Sequence, residues 1–191
     1  YRMHEHIMNF SNNKFYGGLL KAHESVKNHL LSYDTDYYLL NTAVEFIDTA
    51  GCGYNEMLNT ESLSISNPDE AQLLIKHLKM LLEQYYSCKQ DTISVGIISP
   101  YKEQVKDLTL IADGDETMKQ YPIRLAIKTV DGFQGQERDV IYISLVRSND
   151  NNEIGFLNDI RRMNVALTRA KKKLVVIGDS ATLGNHPFYK D

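Results

Sequence analysis

The sequence predicts an α/β fold in which a mainly parallel β-sheet is flanked by helices. Short β-rich runs alternate with helical patterns along the chain, the signature of parallel βαβ units. Several of those runs are apolar almost throughout, as expected of strands buried on both faces. The composition agrees. A chain of 191 residues, 42% hydrophobic and 24% charged, suits one globular domain with its own core and excludes a disordered, collagenous or disulfide-built protein.

The elements follow in order. Residues 1–40, rich in His, Asn and Tyr, predict a helix or loop region, and Ala43–Asp48 the first strand. Asn67-Pro68 then opens the strongest helix, with Asn as cap and Pro in the first turn. Ala71, Leu74, Ile75, Leu78, Leu81, Leu82 and Tyr85 repeat at helical spacing and form one stripe for the sheet. Strand Ile93–Ser99 comes next, then a helix from Pro100 with Ser99 as cap and Tyr101, Val105 and Leu108 facing inward. Asp113–Gln120 is a polar loop. Strands Leu125–Val130 and Val140–Val146 precede a polar excursion, Arg147–Gly155. A helix from about Asp159 to Ala170 buries Ile160, Met163, Leu167 and Ala170, and Leu174–Gly178 is the last strand. There is no internal repeat, so residues 1–191 read as a single domain.

Cys52 and Cys88 lie far apart and outside any Cys-x-x-Cys pattern, which supports neither a disulfide framework nor a cysteine zinc site. His4 and His6 have only Glu5 near them, so no metal site is expected. No run approaches the ~20 apolar residues of a membrane helix, and the N-terminus has no apolar signal core. An intracellular chain without a membrane partner is expected. Tyr1 in place of an initiator Met makes a start inside a longer protein the expectation. The net charge of −4 counts weakly against nucleic-acid binding if it is evenly spread. It is not: residues 161–173 hold six basic side chains and no acidic one, leaving 15 basic against 25 acidic elsewhere.

In open parallel sheets ligands bind outside the carboxyl ends of the strands, and the out-of-place polar residues are expected there. The loop Asp131-Gly132-Phe133-Gln134-Gly135-Gln136-Glu137 has two glycines that let a backbone approach a ligand, and Glu137 can accept from a hydroxyl. Alone, it is equally an ordinary strand-to-helix turn. In the basic run, a spacing of seven residues puts Arg162 and Arg169 on nearly one helical face with the small Ala166 between. A solvated basic face is the alternative. Arg169, however, is followed at once by a buried strand that holds it against the sheet, where a guanidinium can meet a phosphate bidentately. No Gly-x-x-x-x-Gly-Lys-Ser/Thr occurs, so the chain does not cradle a triphosphate in the P-loop manner. No Gly-x-Ser-x-Gly elbow is present either.

Five strings in a fixed order carry a resemblance: Tyr-Arg-Met-His at 1–4, Phe-Tyr-x-Gly-x-Leu at 15–20, Val-Gly-Ile-Ile-Ser-Pro-Tyr-x-x-Gln at 95–104, Thr-Val-Asp-Gly-Phe-Gln-Gly-Gln-Glu at 129–137 and Asn-Val-Ala-Leu-Thr-Arg-Ala at 164–170. Together they resemble the second RecA-like domain of superfamily 1B helicases, of the nonsense-mediated-decay and senataxin-type group. The match covers most of the chain and is poor over 21–42 and 105–124.

The resemblance implies a three-layer RecA-like fold of the P-loop NTPase type. ATP would lie between this domain and an N-terminal RecA-like domain carrying the Walker motifs and the Mg²⁺ ligands. Arg2 and Arg169 would reach the γ-phosphate as catalytic residues, in a reaction where charge stabilisation dominates. Gly135 would lie beside the phosphates, Glu137 at the ribose and Tyr1 near the base. Ser99, Pro100, Tyr101, Thr129 and Val130 would touch single-stranded DNA or RNA. Hydroxyls and backbone N–H groups at strand ends suit phosphate contact, which carries little sequence information. Tyr101 would either stack on a base or belong to the core. Gln104 and Gln134 would couple the two sides, and Arg162 would meet nucleic acid or the partner domain. The implied function is the C-terminal motor domain of a 5′-to-3′ ATP-dependent helicase or translocase. The alternatives are a non-catalytic RecA-like module that binds nucleic acid or protein, and the motor part of a helicase-nuclease.

Overall fold

The computed structural model describes residues 3–190; Tyr1, Arg2 and Asp191 lie outside the described residues. Its helices are α1 (Glu5–Phe15), α2 (Tyr38–Asn41), α3 (Pro68–Cys88), α4 (Lys102–Gly114), α5 (Ile160–Leu167) and α6 (Ser180–Leu183). Its strands are β1 (Val44–Asp48), β2 (Met57–Leu58), β3 (Ile65–Ser66), β4 (Ile93–Ser99), β5 (Ile123–Thr129), β6 (Arg138–Ser144) and β7 (Ala170–Gly178). Five strands form one sheet in the order β1-β7-β6-β4-β5, and each pairing is parallel. β2 and β3 make a separate antiparallel hairpin, too short for an alternating pattern to reveal it in the sequence.

The central strands β4, β6 and β7 are largely buried and helices cover both faces of the sheet, which makes the fold a three-layer, RecA-like α/β domain. On one face α2, α3 and α4 pack on Val95, Ile97, Val140, Val175 and Ile177; on the other, α1, α5 and α6 pack on Ile98, Ile141, Ile143 and Leu174. The second group includes Phe133 from the β5–β6 connection. The predicted stripe of α3 is buried from Ala71 to Tyr85, and Asn67 caps that helix by accepting from the Glu70 N–H at 3.1 Å. Among the described residues no helix is long and apolar enough to cross a membrane.

Several boundaries differ from the sequence reading: β5 and β6 each start two residues earlier and end sooner than predicted, and the predicted loop Asp113–Gln120 holds the end of α4 and a 3₁₀ turn, Met118–Gln120. Helix α4 starts at Lys102, after an extended Tyr101, because Ser99 still pairs with Thr129 as a strand residue. A residue before proline is biased away from the helical region. Helix α5 ends at Leu167 rather than Ala170, since Ala170 already pairs with Arg138 in the sheet. Arg162 and Arg169 therefore do not share a helical face: Arg169 lies in the connection after the helix. Strand β7 begins at Ala170, four residues earlier than its apolar run, so the three lysines Lys171–Lys173 are strand residues.

Lys173 belongs to the core instead of a phosphate-facing patch. It is fully buried, its Nζ 3.1 Å from Glu45 Oε2 and 3.0 Å from the Thr42 carbonyl oxygen. Glu45 Oε1 is 3.0 Å from His77 Nε2, and His77 Nδ1 is 2.7 Å from the Tyr142 hydroxyl. Burial alone would raise the Glu45 carboxyl, but the hydrogen bond from His77 and the charge of Lys173 hold it below the ordinary carboxylate value.

Candidate functional site

The predicted site residues fall at two opposite ends of the sheet. Strand β5 ends at Thr129, beside Ser99 of β4, at the carboxyl end. The next strand, β6, starts at Arg138, at the amino end beside Ala170 of β7. Because the strands are parallel, residues 130–137 must travel back along the sheet. They do so across the α1/α5 face, where Phe133 is fully buried. Gly96 of β4 makes room for that ring: a Cβ there would collide with Phe133 and lie 2.7 Å from Ile141 Cδ1. The expectation that all the ligand-facing residues gather at carboxyl ends is thus corrected. The reason is topological, since the connection delivers Gly135 and Glu137 to the opposite end.

At the amino end, Gly135 is exposed with φ +76°, a conformation that favours glycine and leaves its backbone open. Gln134 beside it is exposed and Glu137 half-buried. Arg138 fixes the returning loop, donating to the Glu137 carbonyl at 2.9 Å and to Gln136 Oε1 at 3.2 Å, with its guanidinium 5.3 Å from the Phe133 ring centroid. Arg169 sits next to this loop, its carbonyl accepting from the Arg138 N–H at 3.1 Å. The Arg169 Nε atom is buried without a hydrogen-bond partner among the described residues. An orphaned charged donor is costly, and it fits an anionic ligand. The N-terminal segment reaches the same place: the His4 N–H donates to the Lys171 carbonyl at 3.0 Å, two residues beyond Arg169. Among the described residues no group of three or more His, Cys, Asp or Glu side chains could hold a metal ion.

At the carboxyl end, Thr129 is half-buried and its Oγ1 accepts from the Gly132 N–H at 3.3 Å. Ser99, Pro100 and Val130 are buried, Ser99 completely, so of the predicted strand-end residues Thr129 is the one that reaches the surface. Tyr101 is only 9% exposed. Its hydroxyl lies 3.4 Å from both the Ile154 carbonyl oxygen and Arg147 Nη1. Of the two readings left open for Tyr101, the core one describes it. Gln104 is also fully buried: it accepts from the Asn67 N–H at 2.8 Å and donates to Ser144 Oγ at 2.9 Å. All of its polar reach is spent inside the domain at this end, so it does not bridge to the amino-end residues.

Sequence reasoning missed the charges that shape this end. Glu70 of α3 is buried and accepts from Ser144 Oγ at 2.6 Å and from the Val146 N–H at 2.9 Å. Burial pushes its carboxyl up to about 7, against the pull of those hydrogen bonds. Val146 is held at φ +71°, a strained setting for a β-branched residue. That turn sends Arg147 inward, where its Nε donates to Glu56 Oε2 at 2.9 Å. Gly155 lies so close to this guanidinium that a side chain there would strike Arg147 Nη1. On the surface above, Arg162 is exposed, and its Nε is 3.4 Å from Asp159 and 3.7 Å from Asp131. Its guanidinium stands 5.0 Å from the ring centroid of Phe156, a half-buried aromatic between the buried Ile154 and Leu157.

Comparison with known proteins matches this arrangement to a family. A family model described as an AAA domain matches residues 1–181. The chain is 38% identical over 195 residues to the DNA-binding protein SMUBP-2 of Rattus norvegicus, covering 100% of this chain and 18% of that protein. It is 37% identical over 195 residues to the DNA polymerase alpha-associated DNA helicase A of Saccharomyces cerevisiae, covering 96% of this chain and 27% of the relative. To the regulator of nonsense transcripts 1 homolog of Neurospora crassa it is 34% identical over 191 residues, covering 99% of this chain and 17% of the relative. The chain thus spans about a sixth to a quarter of the length of these relatives. On the family model, the alignments over nearly the whole of this chain and the parallel α/β sheet together, the chain belongs to the AAA-domain family as a RecA-like domain of the superfamily 1 helicases of the nonsense-mediated-decay and senataxin type.

Proposed function

We propose that the chain is the second motor domain of an ATP-dependent helicase or translocase, using ATP at the amino ends of β6 and β7 and single-stranded nucleic acid at the carboxyl ends of β4 and β5. One observation carries this reading: two polar sets stand at opposite ends of a single sheet, joined by the loop 130–137. In this reading Arg169, with Arg2, neutralises charge developing on the γ-phosphoryl group, a task that is almost wholly electrostatic. The unpartnered Nε of Arg169 supports that role, since a phosphate supplies the acceptor the chain lacks. Gly135 offers backbone to the phosphates, Gln134 lies beside it, Glu137 accepts from the ribose, and Tyr1 packs near the base. The Mg²⁺ ligands belong to the N-terminal RecA-like domain of the same protein.

At the other end Thr129 contributes a hydroxyl and Arg162 contributes charge, with Ser99, Pro100 and Val130 buried beneath them as the support of the strand ends. Tyr101 supports this surface from beneath. Such contacts follow the phosphate backbone and scarcely distinguish DNA from RNA; a 5′-to-3′ direction rests on the family alone. Closing of the two domains on ATP, and reopening after hydrolysis, would move the strand contacts along the backbone.

Residues 1–191 alone are expected to hydrolyse no ATP with or without a single strand. The full-length protein is expected to hydrolyse it, faster when single-stranded oligomer is added. Phosphate release in the two preparations is the measurement, and turnover by the 191-residue chain alone would overturn the split site.

A further inference from the structure

Phe156 has no part in the family reading, yet it is a half-buried aromatic on the carboxyl-end surface, beside Arg162. Its ring is half-buried and backed by Tyr101, with ring centroids 6.4 Å apart. Tyr101 is itself fixed from behind by Ile154 and Arg147. The guanidinium of Arg162 lies over the Phe156 ring at 5.0 Å. That guanidinium is held only loosely, because its contacts to Asp159 and Asp131, 3.4 and 3.7 Å, exceed an ordinary charge-assisted hydrogen bond. The Arg162 and Asp159 side chains are each 45% exposed and Asp131 66%, so water screens both pairs. A backbone phosphate offers Arg162 a bidentate partner in their place.

We propose that Phe156 is the base-stacking platform of this face, covered by Arg162 until a nucleic-acid phosphate draws the guanidinium away from Asp131 and Asp159. The proposal rests on the reading of this end as the single-strand face. It supplies what the buried Tyr101 does not: a rigidly backed ring beside a mobile positive charge, the combination by which single strands are held without sequence preference. Asp131 is also the first residue of the 3₁₀ turn Asp131–Phe133 in the returning loop. Release of Arg162 therefore acts on the segment that leads to Gly135 and Glu137.

The test is equilibrium binding of fluorescein-labelled oligouridylate and oligothymidylate to the full-length protein across a series of salt concentrations. Phe156→Leu is expected to weaken binding about tenfold with the salt dependence unchanged, while Phe156→Tyr binds as the parent does. Arg162→Gln is expected to lower the slope of log affinity against log salt by about 0.7, the loss of one phosphate contact on a single strand. Asp131→Asn, which removes a competitor for the guanidinium, is expected to tighten binding severalfold. A purely structural role for Phe156 would change the active fraction, read by stoichiometric titration, and leave the slope and the affinity of the active molecules alone. Binding by Phe156→Leu within twofold of the parent, or weaker binding by Asp131→Asn, would overturn the proposal. If the parent binds neither oligomer, the single-strand reading fails as well; if the parent binds and Phe156→Leu matches it, only the platform fails.

Discussion

Replacing Arg169 with Ala in the full-length protein is expected to reduce nucleic-acid-stimulated ATP hydrolysis on the order of a thousandfold, the scale of a missing arginine finger. The argument is local. Arg169 leaves α5 at its end and enters β7, its N–H donating to the Ala166 carbonyl at 3.2 Å and its carbonyl accepting from Arg138 at 3.1 Å. The backbone is therefore fixed at both sides while the buried Nε has no acceptor. The Nε therefore has a hydrogen bond left to give to a phosphate, beside the loop that carries Gly135 and Glu137, where fixed positive charge stabilises the transferring group. Removing the side chain discards a group without protein hydrogen bonds at that atom, and the circular dichroism spectrum and unfolding midpoint should stay close to those of the parent. The check is kcat at saturating ATP and single strand. Turnover within tenfold of the parent would reject the assignment.

The second large effect concerns stability. Glu45→Ala is expected to cost about 3–5 kcal/mol, because it leaves the Lys173 ammonium buried with only the Thr42 carbonyl as partner. That is a large share of the ~5–15 kcal/mol typical of a domain. Changing both partners, Glu45→Leu with Lys173→Met, is expected to restore most of the loss, since an apolar pair avoids the desolvation that the ion pair must offset. Urea denaturation of the single and double variants measures both. The pH dependence follows in sign: the Glu45 carboxyl is depressed in the folded state, so its contribution is full above the ordinary carboxylate range and is lost as pH falls through the depressed value. Glu45→Ala should flatten that acid limb. An unchanged urea midpoint would show that the pair adds nothing.

The sheet and its main helix were legible because their residues repeat with the period of the structure they form. Leu74, Leu78, Leu81 and Leu82 face one way along α3 and are all fully buried, and the apolar run of β4 is buried throughout. What escaped was hidden by charge. Lys171–Lys173 look like a solvated tail of a helix, whereas they open a strand and the last of them is buried by Glu45, a residue from another strand. Arg147 likewise lies in a run that reads as a loop, and the carboxylate that buries it is 91 residues away in sequence. Gly135, Glu137 and Arg169, which the resemblance groups together, lie at the same end of the sheet. Order along the chain does not reveal that the connection after β5 runs the length of the sheet, so the two ends became distinct only in three dimensions. Gly96 and Phe133, which let that connection lie flat, carry no chemistry that would have marked them.

Whether the two ligands occupy opposite ends of the sheet is read by hydrogen exchange of the full-length protein, with a non-hydrolysable ATP analogue and a single-stranded oligomer added one at a time. The analogue alone is expected to slow exchange over residues 134–137 and 168–171, and the oligomer alone over residues 130–132 and 155–162. Protection of the same end by both ligands would contradict the account.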